Sequence, residues 1–348
     1  MNRKILSVVT LLLLILNAVG LSLAGPRKKI AVKRQVNPLV AKLPASDAVA
    51  TVDARRFFDQ AMPKLLASRA DIVGKITTHL NEFQTKTGVD PRKFDRVAIG
   101  ANFKHQAVRD FDIDFVALAQ GSINAGALVA AAKLGSNAGY REEKAGAHTI
   151  YIFSARSIAD KNLPASGPAI VNGAVDTVPA EMAVAVYDTN TIAIGSPGRV
   201  REALEGGSTV SPEISGMLTS RPNPVFAFAA RMPEGVRNLL PMDNDELGKN
   251  IESIRFLTGW ADVGVGNASM NMTAKTTNAE SAQSLYDTVA FLQQFGKGLL
   301  GNSKKPQNAV YARLIDSAKL SKAGSDVALD LTVAQSDIDL LLAALVKK

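Results

Sequence analysis

The chain has 348 residues, 47% of them hydrophobic, and contains no cysteine. That composition excludes a disordered polymer, a disulfide scaffold, a thiol nucleophile and a thiolate metal site. Of the formal charge of +8, Arg3 and Lys4 carry two and Arg27, Lys28, Lys29, Lys33 and Arg34 five more, which leaves residues 35–348 near +1. A nucleic-acid binder carries its basic patch on the folded body, so this distribution argues against a nucleic-acid partner.

The first elements concern export. Arg3 and Lys4 precede an apolar stretch from Ile5 to Leu23, and Ser22-Leu23-Ala24 places small residues at a signal-peptidase site. Residues 1–24 therefore read as a signal peptide, which puts the protein in the periplasm or another extracytoplasmic space. The basic cluster just after the site opposes translocation, so the alternative is an uncleaved inner-membrane anchor at residues 5–23. Residues 25–44, with Pro26, Pro38 and Pro44, read as a basic linker suited to anionic membrane or cell-wall polymer.

Structured patterning begins at Ala45. Ala48–Val52 reads as a strand, Phe57–Leu66 as a helix, and Asp71 as the cap of a helix whose Ile72, Val73, Ile76, Leu80 and Phe83 keep the helical period up to Gly88. Arg96–Phe103 and Phe111–Ala119 read as strands, and Asn124 caps a helix ending at Gly135. Hairpins turn at Lys144-Ala145-Gly146 and at Asp188-Thr189-Asn190, on either side of a loop with Pro164, Gly167 and Pro168. Ser196 and Pro197 open a short helix that Gly206-Gly207 ends.

The order then starts again. A strand is expected at Pro224–Ala230, helices at Pro233–Leu240 and Asp245–Arg255, and strands at Gly259–Val265 and Ser269–Thr276. Asn278 caps a long helix to Leu300 with a seam of Ala282, Leu285, Val289, Leu292 and Leu299. Tyr311–Leu320 and Asp326–Val333 read as a hairpin about Lys322-Ala323-Gly324. Ser336 caps a final helix with Lys347-Lys348 at its end, and Asp337 and Asp339 in its first turn complement the helix dipole.

Asn124-Ala125 with Asn278-Ala279, and Lys144-Ala145-Gly146 with Lys322-Ala323-Gly324, are paired landmarks of an internal duplication. The expectation is an α+β fold of two similar halves, residues 45–208 and 209–348, each an antiparallel sheet with helices on one face, in separate sheets or a shared one. The hairpin from Met182 to Ile194 has no counterpart in the second half.

Each candidate chemical site has a simpler structural reading. Asp110, Asp112 and Asp114 open like a calcium loop, but Phe115 and Gly121 stand where that loop needs glycine and glutamate. Alternation with Phe111, Ile113 and Phe115 makes them the wet face of a strand. Asp243, Asp245 and Glu246 fit a helix start. His79 and Glu82 are one helical turn apart, too few groups for a zinc site. His148 opens a strand and His105 is expected in a charged loop. Ser122 and Ser196 read as turn and cap residues, since no nucleophile elbow is present. Gly264-Val265-Gly266 lacks the third glycine of a dinucleotide loop, and there is no P-loop. Trp260, the only tryptophan, reads as core. No catalytic, cofactor-binding or metal residue is assigned, and no cofactor is expected.

The strand-to-helix opening Asp47-Ala48-Val49-Ala50-Thr51-Val52-Asp53, with Phe94-Asp95-Arg96-Val97-Ala98-Ile99-Gly100 and Thr191-Ile192-Ala193-Ile194-Gly195-Ser196, resembles a class of uncharacterised exported bacterial proteins. That resemblance implies no activity and no site residues.

The functional expectation is a non-enzymatic envelope protein that binds a lipid or other apolar ligand, or a protein partner. The final helix, with Leu340, Leu341, Leu342, Leu345 and Val346, is either deeply buried or a partner-docking element. The alternatives are a cofactor-independent hydrolase using Asp and Glu carboxylates, which needs two acids converging in a cleft, and a tethered scaffold.

Overall fold

A computed structural model describes residues 37–107, 110–135, 139–154, 180–234, 245–301 and 306–346. The segment expected to be a signal peptide, the basic cluster, the loop after Ser154, most of the helix expected at Pro233–Leu240, Asp243 and Lys347-Lys348 lie outside the described residues.

Twelve antiparallel strands form one continuous sheet in the order β11-β12-β10-β9-β8-β1-β2-β3-β7-β6-β5-β4. In chain order these are β1 (Ala48–Asp53), β2 (Phe94–Ala107), β3 (Asp110–Gly121), β4 (Tyr140–Ala145), β5 (His148–Ser154), β6 (Glu181–Asp188), β7 (Thr191–Gly195), β8 (Phe226–Arg231), β9 (Ile254–Val263), β10 (Asn267–Thr276), β11 (Lys319–Ala323) and β12 (Asp326–Ala334). The strands before residue 208 and those after it meet where β1 pairs β8, from Ala48↔Ala230 to Val52↔Phe226. The α+β expectation holds, and the sheet is shared.

Helix α1 comprises Ala54–Arg56 and Met62–Leu65 around a π-turn at Phe57–Ala61. It is followed by α2 (Ala70–Thr87), α3 (Ala125–Gly135), α4 (Pro197–Glu205), α5 (Pro212–Met217), α6 (Asp245–Glu252), α7 (Ala279–Gly301), α8 (Pro306–Ser317) and α9 (Gln335–Val346). Gly88 closes α2 in the left-handed conformation, as its position predicts. Gly146 and Gly324 hold positive φ in the two edge hairpins, both of which turn where expected.

Alternation along the strands decides which layer covers which face. Val49, Ala98, Val116, Leu118, Ala227 and Ala229 point to one side, where Leu39, Val40 and Leu43 join Val200 and Ala203 of α4 and Ile214 of α5. Ala50, Val52, Phe226 and Phe228 point to the other side, against α1, α2, α8 and α9. On that same side α3 covers Ala119 and Ile192, and α7 covers Ala274 and Val327.

Several expectations need correction. Helices lie on both faces of the sheet across β1, β2, β3 and β7, because apolar residues there point both ways. Pro38–Lys42 is a 3₁₀ turn inside the core, so the linker reading fails from Asn37 onward: Leu39 and Leu43 are too apolar to stay in water. Tyr311–Ser317 is helical, since Pro306 opens α8 and Val310 and Leu314 share one helix face. Only Lys319–Ala323 pairs with β12. Strand β9 begins at Ile254, and the helix before it stops at Glu252. Helix α5 is an additional element, capped where the Ser211 hydroxyl accepts from the Ile214 N–H at 3.3 Å.

Candidate functional site

Helix α7 is built from its cap outward. The Asn278 side chain accepts a hydrogen bond from the Ser281 N–H at 2.8 Å, satisfying a first-turn donor. Ala282, Leu285 and Val289 then face the sheet, against Ala274 and Val327. At 1.5 Å per residue a 23-residue helix runs about 34 Å.

The C-terminal half of α7 rests instead on α8. The Gln293 amide donates to the carbonyls of Ile315 and Ala318, both at 2.7 Å, satisfying acceptors at the α8 terminus. Gly296 lets the Ile315 side chain approach closely. With these residues turned inward, the opposite side of the helix faces solvent. Phe291 is 67% exposed, Phe295 60% and Leu292 46%. The two phenylalanine rings stack at 6.3 Å and 18°.

The charges on this helix are Glu280, Asp287 and Lys297. Asp287 accepts from the Gln283 amide at 2.8 Å, and Lys297 pairs with Asp316. The face therefore presents three large apolar side chains beside Asp287 and Lys297, both engaged within the chain, the composition of an interface centre.

The expected seam is followed only as far as Val289; Leu292 is on the wet side, and the Leu299 side chain lies outside the description. The sequence did carry the signal, since Phe291 and Phe295 are one turn apart and off the seam.

The structure separates the sequence candidates. Asp114 lies opposite Asn102 in the β2–β3 ladder, as strand alternation requires, and the side chains of Asp110 and Asp112 are outside the description. His105 belongs to β2, opposite Phe111, rather than to a loop. His79 meets Glu82 at 3.5 Å on an open helix face. The His148 ring contacts the Val186 carbonyl at 3.0 Å. Ser196 spends its hydroxyl on the Phe115 N–H at 3.2 Å and makes no side-chain cap. Asp71 sits in the first turn of α2, paired with Arg69 at 2.7 Å, and is not its cap. Gly264-Val265-Gly266 is the β9–β10 turn. No group of three His, Asp or Glu side chains gathers among the described residues.

The buried carboxylate Asp262 holds Arg56 at 2.8 Å and Arg221 at 3.1 Å, while Arg221 stacks on half-buried Trp260 at 4.1 Å. Trp260 is thus packed, as expected, and Asp262 is spent on two guanidinium groups. In the final helix Ile338 is buried and Leu342 packs with it, while Leu340 is 48% exposed; the side chains of Leu345 and Val346 are outside the description. Among the described residues no helix is long and apolar enough to cross a membrane.

No family model matches the chain, and no curated protein matches it. Solved structures of TP0453 are similar at a distance. Crystal form III has 10% identity and a TM-score of 0.42 over 90% of this chain and 100% of that one. Crystal form I has 11% identity and a TM-score of 0.41 over 90% and 99%.

Proposed function

We propose that this is a non-enzymatic, extracytoplasmic binding protein that docks a protein partner through α7. The observation that carries the reading is the stacked, exposed pair Phe291–Phe295 with Leu292 beside it. Aromatic side chains, phenylalanine included, are enriched in the buried cores of protein interfaces, where a few large anchors carry most of the binding energy. A lipid surface is the poorer fit, because helices that lie on membranes carry several Lys or Arg, and α7 carries only Lys297. The hydrolase reading has no support from Asp262, the carboxylate buried among the described residues, which two arginines neutralise.

A photo-crosslinking residue at Phe295 in the exported chain should join one protein species, and Leu292→Asp should abolish the adduct. A residue at Ser321, on the opposite side of the molecule's edge hairpin, serves as control. Adducts equal at both positions, or flotation of the protein with protein-free vesicles, would overturn the proposal. Sequencing of the exported chain should begin at Gly25; an intact Met1 would instead make residues 5–23 an anchor.

The duplication belongs to the same proposal. Outward from the β1–β8 junction the strands run β1-β2-β3 on one side and β8-β9-β10 on the other, and each side ends in a hairpin with glycine at positive φ. The β6–β7 pair, between β3 and β5, is then an insertion, which accounts for the unmatched hairpin. Sequence profiles of the two halves should align Asn124 with Asn278 and Gly146 with Gly324; profiles without that register would sink the duplication.

A further inference from the structure

The exposed face of α7 has an order as well as a composition. Phe291 and Phe295 are centred, in height along the helix, on position 293. Thr288 and Gly298 are centred on the same position, and Asp287 and Lys297 one residue earlier. At about 100° per residue, Asp287 and Lys297 fall on one flank of the Phe291–Phe295 line and Leu292 on the other. Gly298 belongs to the open side as well: it is exposed, and a side chain built there would point into open space.

A face ordered in this way is complementary to itself. A two-fold axis lying between two antiparallel helices and perpendicular to both reverses the chain direction and keeps each flank on its own side. With the axis at the height of position 293, Phe291 of each copy meets Phe295 of the other. Thr288 meets Gly298, whose missing side chain lets the helices approach. On one flank Asp287 comes beside Lys297 of the other copy, offset by about 3 Å along the axis, within a lysine's reach. On the other flank Leu292 meets its own copy. The charges are open to this exchange. The hydrogen bond to Asp287 comes from the neutral Gln283 amide and leaves the carboxylate's charge unmatched. The Lys297–Asp316 pair has both side chains more than half exposed, so it is a weak surface pair.

We infer that α7 docks a second copy of this chain in an antiparallel, two-fold pair. The inference rests on the reading of α7 as a protein-docking face and names the partner. An isologous interface requires that wherever residue i touches j, j touches i, so its aromatic, small and charged pairs must share one midpoint. A face made for a different protein has no such requirement. The two phenylalanine side chains expose roughly 250 Å² per copy, taking a phenylalanine at about 200 Å². A contact with so small an apolar centre lies at the low end of specific interfaces, so the dissociation constant is expected to be on the order of micromolar.

The test uses the exported chain. Sedimentation velocity from about 1 to 100 μM should show monomer converting to dimer. Asp287→Lys and Lys297→Asp should each weaken the dimer about tenfold, because each sets two like-charge pairs across the axis. An equimolar mixture of the two variants should restore it, and so should both changes in one chain; a misfolded chain would not be rescued by mixing. The photo-crosslinking residue at Phe295 should give an adduct of twice the chain's mass. A chain that stays monomeric throughout, a dimer unmoved by either charge reversal, or a mixture that does not recover would overturn the inference. An adduct of Phe295 with a different protein also overturns it, and leaves α7 a docking face for that protein. The absence of any protein adduct overturns both readings.

Discussion

The sheet has two regions built on different terms. Across β1, β2, β3 and β7 both faces are covered, and the strands read as runs of small and apolar residues: Thr191, Ile192 and Ala193 are buried in succession. Across β10, β12 and β11 the packed helices lie on the side of Met270, Leu331 and Val333, and the other side carries Asn271, Thr273, Lys275, Asp326 and Asp330. That polar side is cross-linked by its own pairs, Asn271 to Asp330 at 2.9 Å and Lys275 to Asp326 at 2.9 Å. A sheet wetted on one face tolerates alternation; where it is covered on both, the charges Asp95 and Arg96 fall at the strand end. The lesson is that strand composition reports the number of covering layers, and the covered region should hold most of the stability.

The largest effect that would break this comparison is a single methyl group. Gly195 faces the main chain of Phe115 and Val116 so closely that a side chain at this position would overlap the Phe115 carbonyl. Gly195→Ala should cost about 3 kcal/mol or prevent folding, read from urea unfolding. A variant as stable as the parent would show that β3 and β7 have room to separate.

Next in size is a paired truncation. Leu118 is fully buried in β3, so Leu118→Ala should cost about 3 kcal/mol, whereas Thr273→Ala on the polar side should stay within about 0.5 kcal/mol. Equal losses would mean that the polar side is covered as well.

A third variant probes the tie between regions. Asp262 of β9 holds Arg56, which follows β1, and Arg221, which precedes β8. Asp262→Asn should cost about 2 kcal/mol, since hydrogen bonds to charged groups are worth about 1.5–3 kcal/mol and the two arginines lose their shared counter-charge. An unchanged unfolding midpoint would make this cluster dispensable.

The smallest effect is on acid titration. The Arg69 guanidinium hydrogen-bonded to Asp71 takes its carboxyl down to about 2. Asp90 is also held low, by its hydrogen bond from Arg92. A depressed folded pKa contributes stability above the unfolded value of about 3.9, and that contribution is lost as pH falls through the folded value. The melting temperature should therefore be flat from pH 7 to 5 with respect to these two groups and fall below about pH 4. Carbon-detected NMR should place the Asp71 midpoint near 2, and Arg69→Gln should return it toward the ordinary aspartate range.

Much of the fold is legible in the residues. The β6–β7 hairpin about Asp188-Thr189-Asn190 and the caps Asn124 and Asn278 follow from turn and capping chemistry that acts over four residues. The misreadings share one cause. Tyr311–Leu320 reads as a hairpin arm together with the strand that follows it, but Pro306 and the helical spacing of Val310 and Leu314, packed against α7 and α9, make its first part helical. Leu39, Val40 and Leu43 sit in a proline-bounded stretch that local composition marks as linker, and the core claims them. The α7 face was half visible: the seam at Ala282, Leu285 and Val289 predicts the buried side, but where the sheet beneath the helix ends is not encoded in the helix.

By itself the sequence determined the strand and helix periods, the turns that need glycine, the absence of thiol chemistry and the poverty of reactive clusters, because each of these depends on neighbours a few positions away. Only the tertiary structure decided that β1 and β8 join all twelve strands into one sheet, that α4 and α5 cover its second face, and that Phe291, Leu292 and Phe295 stay in solvent. Those outcomes depend on residues far apart in the chain, such as Ala48 and Ala230, meeting in one register, and no local pattern specifies such a meeting.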